Sequence, residues 1–285
     1  MKFIDGKTLA EKIKDTVAAE IHSFGGPRPG LAIILVGERT DSELYVNRKE
    51  KQAKTVGIDT HVYRMDSDIS QEQMIKTIEF LNNDPSIDAI LVQLPLPAHL
   101  DTDVIINTIQ PDKDVDGFTR VNLDRLMGKE NETAIIPPVY AVILAMLQSI
   151  NVSLLNKHVI LIANSDIFVD NLAEVLRRQG ATVTLASVKD PMLSSITTQG
   201  DILISAIGKQ GYIKKDMLKN QAIVIDIGIT MDENGHPRGD ADFESVKDTV
   251  SFITPVPGGV GPMTIAMAFW NTLHMFKKNH SLKKV

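Results

Sequence analysis
The apolar positions of this chain fall into two series of short unbroken runs, each followed by a stretch with helical spacing. In the first series Leu31–Gly37 (LAIILVG) reads as a buried strand. Thr40 and Glu43 then form a Thr-x-x-Glu signature that predicts a capped helix running to about Val56. A short strand over Asp59–Met65, a helix from about Gln71 to Asn82 and a strand over Ala89–Leu94 (AILVQL) complete the series. Runs that are apolar at every position, separated by helices, predict parallel strands covered on both faces.

The second series follows a helical connector at Ile135–Ser149, which begins on a Pro-Pro pair. Val159–Ala163 reads as a strand. The next helix is expected to start near Asn171, with Asp170 as its N-cap, and to end at Arg178 before Gly180. Strands are expected at Thr182–Ala186, Ile202–Ile207, Ala222–Ile227 and Phe252–Val256, and a last amphipathic helix at about Met263–Lys277. The pattern predicts an α/β protein of two domains, an N-terminal α/β domain and a Rossmann-like, doubly wound parallel-sheet domain. The expected boundaries are residues 1–137 plus 264–285, with the C-terminal helix returning to the first domain, and residues 138–263.

Composition narrows the function more than the fold. With 43% hydrophobic and 23% charged residues, 285 residues are enough to bury real cores. A net charge of −6 argues against a nucleic-acid or anionic-membrane partner. The absence of cysteine excludes disulfides, thiolate metal sites and cysteine nucleophiles, and the seven histidines show no ligand spacing, so no metal is assigned. The start, MKFIDGKTLAEKIK, lacks an apolar signal core, and no apolar run approaches the roughly 18 residues of a membrane span. A cytoplasmic location is expected.

Four constellations carry candidate chemistry. Tyr45 and Lys49 lie four apart on the first predicted helix, and a lysine desolvated beside a tyrosine can exchange protons near neutral pH; the alternative is an ordinary surface pair. Gln93 interrupts an apolar strand near its carboxyl end, either as a satisfied structural amide or facing a ligand. Lys113–Gly117 (KDVDG) is a solvated turn or a loop holding a carboxylate against a heterocycle with adjacent N–H donors. Thr254–Thr264 (TPVPGGVGPMT) combines stiffness with open backbone, and Pro262 suits the first turn of the following helix, so it reads as a ligand loop.

Together PGLAIILVG, SELYVNRKEKQAKTVGI, AILVQLPLPAHL, IQPDKDVDGF, DILISAIGK, AIVIDIGI, GDADF and ITPVPGGVGPMT resemble the bifunctional methylenetetrahydrofolate dehydrogenase/methenyltetrahydrofolate cyclohydrolase family over essentially the whole chain. The resemblance implies a tetrahydrofolate substrate, a folate cleft between the domains and a homodimer. It implies that Lys49 is the catalytic lysine, tuned by Tyr45 and sharing a hydrogen-bond network with Gln93. Val92, Gln93, Leu94 and Tyr45 would contact the folate, Asp116 would hold its pterin ring, and Pro257, Gly258, Gly259, Gly261, Pro262 and Thr264 would line its cleft.

The cofactor half departs from the family pattern. Where the family carries Gly-Arg-Ser and Val-Gly-x-Pro, this chain has Ala163-Asn164-Ser165 and Val169-Asp170-Asn171, and Asp166 adds a second carboxylate. Its Cys-His-Ser segment becomes Ala186-Ser187-Val188, and its Pro-Cys-Thr-Pro motif becomes Ile136-Pro137-Pro138-Val139. Asp190 is too displaced to read an NAD ribose. Ala163, Asn164, Ser165 and Ile229 remain the positions expected near NADP, with binding weakened or lost. Three readings therefore stand: a cyclohydrolase with little or no dehydrogenase activity, a fully bifunctional enzyme using NADP or NAD, and a non-catalytic folate-binding homologue.

Overall fold
The computed structural model describes residues 1–128 and 135–280, apart from the side chains of Asp41 and Asp166. In chain order the elements are β1 (Lys2–Phe3), α1 (Gly6–Phe24), β2 (Gly30–Val36), α2 (Thr40–Val56), β3 (Asp59–Met65), α3 (Gln71–Asn83), β4 (Ala89–Val92), α4 (Thr102–Thr108), α5 (Arg120–Leu126) and α6 (Pro138–Ser149). There follow β5 (His158–Ala163), α7 (Asp166–Arg178), β6 (Thr182–Ala186), α8 (Leu193–Thr197), β7 (Ile202–Ala206), β8 (Ile223–Asp226), β9 (Thr230–Met231), β10 (Pro237–Arg238), α9 (Phe243–Val246), β11 (Phe252–Ile253) and α10 (Val260–Asn279). They form two compact units, one of Glu11–Pro138 with Ile265–Val285, the other of Met1–Ala10 with Val139–Thr264.

The first unit holds a parallel sheet in the order β3-β2-β4. All seven residues of β2 are buried. Leu31, Ile33 and Leu35 enter one core with Phe269 and Leu273 of α10, while Ala32, Ile34 and Val36 enter another with Met74, Ile78 and Leu81 of α3. An unbroken apolar run is what a strand covered on both faces requires. The Thr40–Glu43 capping box does not form. Arg39 is the N-cap, without a side-chain cap bond, and Glu43 instead pairs with Arg64 of β3 at 3.0 Å. The capping box of this unit lies at Ser70 and Gln73, ahead of α3.

The second unit is a six-stranded, all-parallel sheet ordered β1-β11-β8-β7-β5-β6. The chain leaves β5 toward β6 and then crosses to β7, which creates a topological switch point at the carboxyl ends of β5 and β7. The first ten residues group with this unit rather than with residues 11–138. The reason is pairing: Lys2 N–H donates to Ser251 O at 2.8 Å and Ile4 N–H to Ile253 O at 2.9 Å. Helix α7 starts at Asp166, not near Asn171, and its N-cap is Ser165, whose hydroxyl accepts from Phe168 N–H. Asp170 therefore lies exposed inside the helix and does not cap it. Strand β11 ends at Ile253, three residues short of the expected Val256, because Pro255 and Pro257 cannot donate to a ladder.

Candidate active site
In the unit built on β2, helix α2 and the end of β4 bring Tyr45, Lys49 and Gln93 together. Lys49 Nζ donates to Gln93 Oε1 at 3.1 Å and lies 4.8 Å from the Tyr45 ring centroid. The i, i+4 spacing places both side chains on one helix face, and the ring face is favourable for a cation. Gln93 lies one residue past β4 rather than within it, although its N–H still donates to Ile34 O at 2.8 Å. Its Nε2 donates to Leu94 O at 2.8 Å. Both ends of the amide are therefore held, which fixes Oε1 toward the lysine. Beside it, Val92 is buried and Leu94 is 45% exposed.

Lys49 is only 8% exposed. Among the described residues no carboxylate lies within ion-pair distance of its ammonium. Burial holds its pKa below the ordinary lysine range, and attraction to Asp116 only partly opposes this. Asp116 is pushed up to about 6, chiefly by burial, with Lys49 pulling it down and Asp114 pushing it up. The site thus places an amine that gives up its proton more readily than an ordinary lysine in the field of a carboxyl group that holds one to higher pH than an ordinary aspartate. Two groups whose environments shift them toward neutrality are suited to proton transfer in both directions.

The loop carrying Asp116 is anchored by residues to which sequence reasoning assigns no role. Asp114 is 1% exposed and Asn122 fully buried. The Asp114 carboxylate accepts from Gly117 N–H at 2.9 Å, Thr119 N–H at 2.8 Å and Asn122 Nδ2 at 3.0 Å. Asp114 also bridges in parallel to Ile90 of β4, so the loop is registered on the strand that leads to Gln93. Gly117 has φ +68°, and a Cβ there would come within 2.8 Å of Ile135 O. A carboxylate three residues before a glycine is a turn signal that the sequence does contain.

The remaining expected folate residues, Pro257 to Thr264, belong to the other unit. Gly258 adopts φ +107°, and a Cβ on Gly259 would meet Pro255 O at 2.6 Å. Gly259 is also where Gly6 packs, whose own Cβ would stand 2.0 Å from Gly259 O. These two glycines therefore have structural reasons to be glycine. Gly261 differs: the nearest atom to a Cβ there is Ile229 Cδ1 at 4.0 Å, which leaves the backbone approachable. Pro262 lies in the first turn of α10, and Thr264 Oγ1 donates to Gly261 O at 2.8 Å.

At the switch point of the same unit, Ala163 ends β5 and Asn164 and Ser165 are exposed. Asn164 Nδ2 donates to Ile207 O at 2.5 Å, and the Ser165 hydroxyl is engaged by Phe168 N–H. Ile229 is 52% exposed. After β6, Ser187 Oγ accepts from Lys189 N–H and Asp190 Oδ1 from Met192 N–H, so both polar side chains close local turns. The side chain of Asp166, the second carboxylate noted in the sequence, lies outside the described residues. No group of metal-ligating side chains occurs among the described residues, nor is any helix there long and apolar enough to cross a membrane.

Comparison with known proteins finds a family match in each half of the chain. Residues 4–116 match the family model described as "Tetrahydrofolate dehydrogenase/cyclohydrolase, catalytic domain", and residues 137–280 match the corresponding "NAD(P)-binding domain". The chain is 43% identical over 282 residues to the "Bifunctional protein FolD" of a Sulfurovum species, covering 98% of this chain and 99% of that one. It is 42% identical to the protein of that name from Geobacillus thermodenitrificans, covering 95% and 96%. Among solved structures, the Campylobacter jejuni bifunctional enzyme FolD superposes with a TM-score of 0.93 at 39% identity, over 98% of this chain and 99% of the other. The Trypanosoma brucei methylenetetrahydrofolate dehydrogenase-cyclohydrolase, complexed with NADP and an inhibitor, gives 0.91 at 33%, over 98% of each.

Proposed function
Because this chain belongs to the tetrahydrofolate dehydrogenase/cyclohydrolase family, we propose that it opens 5,10-methenyltetrahydrofolate to 10-formyltetrahydrofolate, with Lys49 as the proton-transfer group. The observation that carries this reading is the buried Lys49 amine, fixed on Gln93 and Tyr45 and held below the ordinary lysine range. Water adds to the cationic methenyl carbon and gives up a proton. The hydroxyl proton of the adduct is then removed as the bond from that carbon to N5 breaks and N5 takes up a proton, leaving the formyl group on N10 with one proton released overall. The electrophile is already cationic, so the reaction needs proton management more than a strong nucleophile, and an amine held below the ordinary lysine range suits that task. Asp116 suits the adjacent N–H donors of the pterin, and Tyr45, Val92 and Leu94 offer it apolar contact. An active lysine in its motif environment favours this over a non-catalytic folate binder.

The proposal also holds that NADP binds weakly and that dehydrogenase activity is subordinate. The N-terminus of α7 is favourable to an anion through its free N–H groups. Against this, the turn before it has no glycine and no basic residue, the Asn164 amide is bonded to Ile207, and a pyrophosphate would displace Ser165 from Phe168 N–H. The exposed Asp170 adds repulsion one turn into the helix. These residues do not fit the cofactor's phosphates well. The fully bifunctional reading is favoured by the matched NAD(P)-binding domain and the switch-point sheet order. Calorimetric titration with NADP and NAD, beside hydrolase and dehydrogenase assays, separates the two. We further infer a homodimer located in the cytoplasm, as the family resemblance implies.

A further inference from the structure
We propose that Asn271 is a positioning residue for Asp116: from α10, its amide fixes the peptide bond that leads into Asp116 and so sets where that carboxylate meets the folate ring. The geometry stands on its own, and its meaning for folate rests on the reading of Asp116 given above. Asn271 is only 9% exposed. Its Nδ2, which has two protons to give, donates to Val115 O at 2.9 Å and to Ile136 O at 3.1 Å. Because a peptide unit is planar, holding the Val115 carbonyl also holds the N–H of Asp116. On the other side of Asp116, Gly117 N–H donates to Asp114 O at 3.2 Å and to Asp114 Oδ1 at 2.9 Å. The two peptide planes that flank Asp116 are therefore both fixed, and with them the direction in which its side chain leaves the backbone. From Asp114 to Gly117 the other three residues are buried, and Asp116 alone keeps partial exposure. No described residue donates a hydrogen bond to its carboxylate, which leaves it free to accept from a ligand.

Asn271 is itself firmly mounted. Phe269 and Leu273, two residues to either side of it, pack in the core that holds Leu31, Ile33 and Leu35. Farther along α10, Lys277 Nζ donates to Glu20 Oε2 and Lys278 Nζ to Asp112 Oδ1, each at 2.8 Å. The second carbonyl it holds, Ile136 O, belongs to a segment that packs tightly on the Asp116 loop. A Cβ on Gly117 would stand 2.8 Å from Ile135 O and 3.2 Å from Pro137 N. Asn271 thus ties together two segments that meet without slack, and its removal leaves both carbonyls without that donor. It serves the site without touching substrate.

The test is a double-mutant cycle on affinity for tetrahydrofolate, measured by anaerobic calorimetry with wild type, Asn271→Ala, Asp116→Ala and the double variant. Asn271→Ala is expected to raise Kd about tenfold in the wild-type background and less than about twofold in the Asp116→Ala background. In hydrolase assays the KM of Asn271→Ala should rise by more than its kcat falls. Loss of folded protein alone would instead lower the apparent kcat and leave KM in place. An unchanged Kd, an equal factor in both backgrounds, wild-type affinity in Asp116→Ala, or a kcat loss with KM unmoved overturns the proposal. If Asn271→Ala does not fold, Asn271→Gln takes its place in the cycle, since it keeps the amide but moves it by one methylene. It must then raise Kd by about threefold or more, with the same dependence on Asp116, or the proposal fails. A wild type that binds tetrahydrofolate but opens no methenyl substrate refutes the proposed reaction alone, and the cycle still decides the role of Asn271.

Discussion
Replacing Asp226 with Asn should change how stability depends on pH, in a direction and by an amount that the structure fixes. Asp226 is 2% exposed at the end of β8 and accepts from Gly228, Asp240 and Ala241 N–H. Asp240, fully buried, accepts from Ser205 Oγ and from Ile207 and Lys209 N–H. Each carboxylate fills the place of a missing Cβ: Asp240 against Gly228, and Asp226 against Gly239. Burial, with repulsion from Asp240, pushes Asp226 up from 3.8 to about 6, although its three backbone donors oppose the shift.

The native state therefore holds this proton to higher pH than the unfolded chain. The stabilisation from protonating Asp226 is complete below 3.8 and is lost as pH rises through about 6. At 1.36 kcal/mol per pKa unit the full span is about 3 kcal/mol, of which a little under half falls between pH 8 and pH 5. Asparagine abolishes this dependence. Its amide nitrogen would also face Ala241 N–H, a pH-independent penalty of about 1–3 kcal/mol. Asp116, which also titrates near 6, is present in both proteins and cancels in the comparison. Urea unfolding at a series of pH values should thus show wild type gaining about 1 kcal/mol on Asp226→Asn between pH 8 and pH 5, or roughly 2–4 °C in melting temperature. Parallel stability curves for the two proteins over that range would refute the reasoning.

Two further outcomes follow from the structure. Gly30→Ala should destabilise the β3-β2-β4 unit by about 1–3 kcal/mol or more in denaturant unfolding, because its Cβ would stand 1.9 Å from Ser86 O at the start of β2. NADP titrated calorimetrically should bind with Kd weaker than about 0.1 mM, roughly −5.5 kcal/mol; micromolar binding would restore the fully bifunctional reading.

Fold and site were legible in the sequence to different depths, for physical reasons. Strand β3 and strand β6 match their expected limits, β3 as a mixed segment of alternating exposure and β6 as a short β-branched one. Helix α1 is absent from the expected elements, although Ala10, Lys14, Val17 and Ile21 repeat at helical spacing and are all buried. The partition of the first ten residues depends on β1 pairing with β11, about 250 residues away, and such pairing leaves no local trace. Gln93 was readable as chemistry because a polar group in an apolar run must find a partner, and Tyr45 with Lys49 because i, i+4 spacing puts them on one helix face. The resemblance already implied that Gln93 shares a hydrogen-bond network with Lys49; the tertiary structure supplies the contact itself, Lys49 Nζ to Gln93 Oε1 at 3.1 Å. The frame behind Asp116 was the least legible part: Asn122 belongs to a short helix with no sequence mark of its role, and its bond to Asp114 spans eight residues. At α7 an Asp-rich start suggested the wrong cap, since Ser165 and Asp170 are both good N-cap residues and only the position of the last β5 residue decides between them.

The central claim is that Lys49 carries hydrolysis of the methenyl substrate. It is tested most directly by following loss of methenyltetrahydrofolate absorbance with wild type and Lys49→Met, each against buffer alone. Clear catalysis by wild type is expected, with a kcat lowered by about 100-fold or more in the variant. Equal rates for the two proteins, or a wild type no faster than buffer, would contradict it.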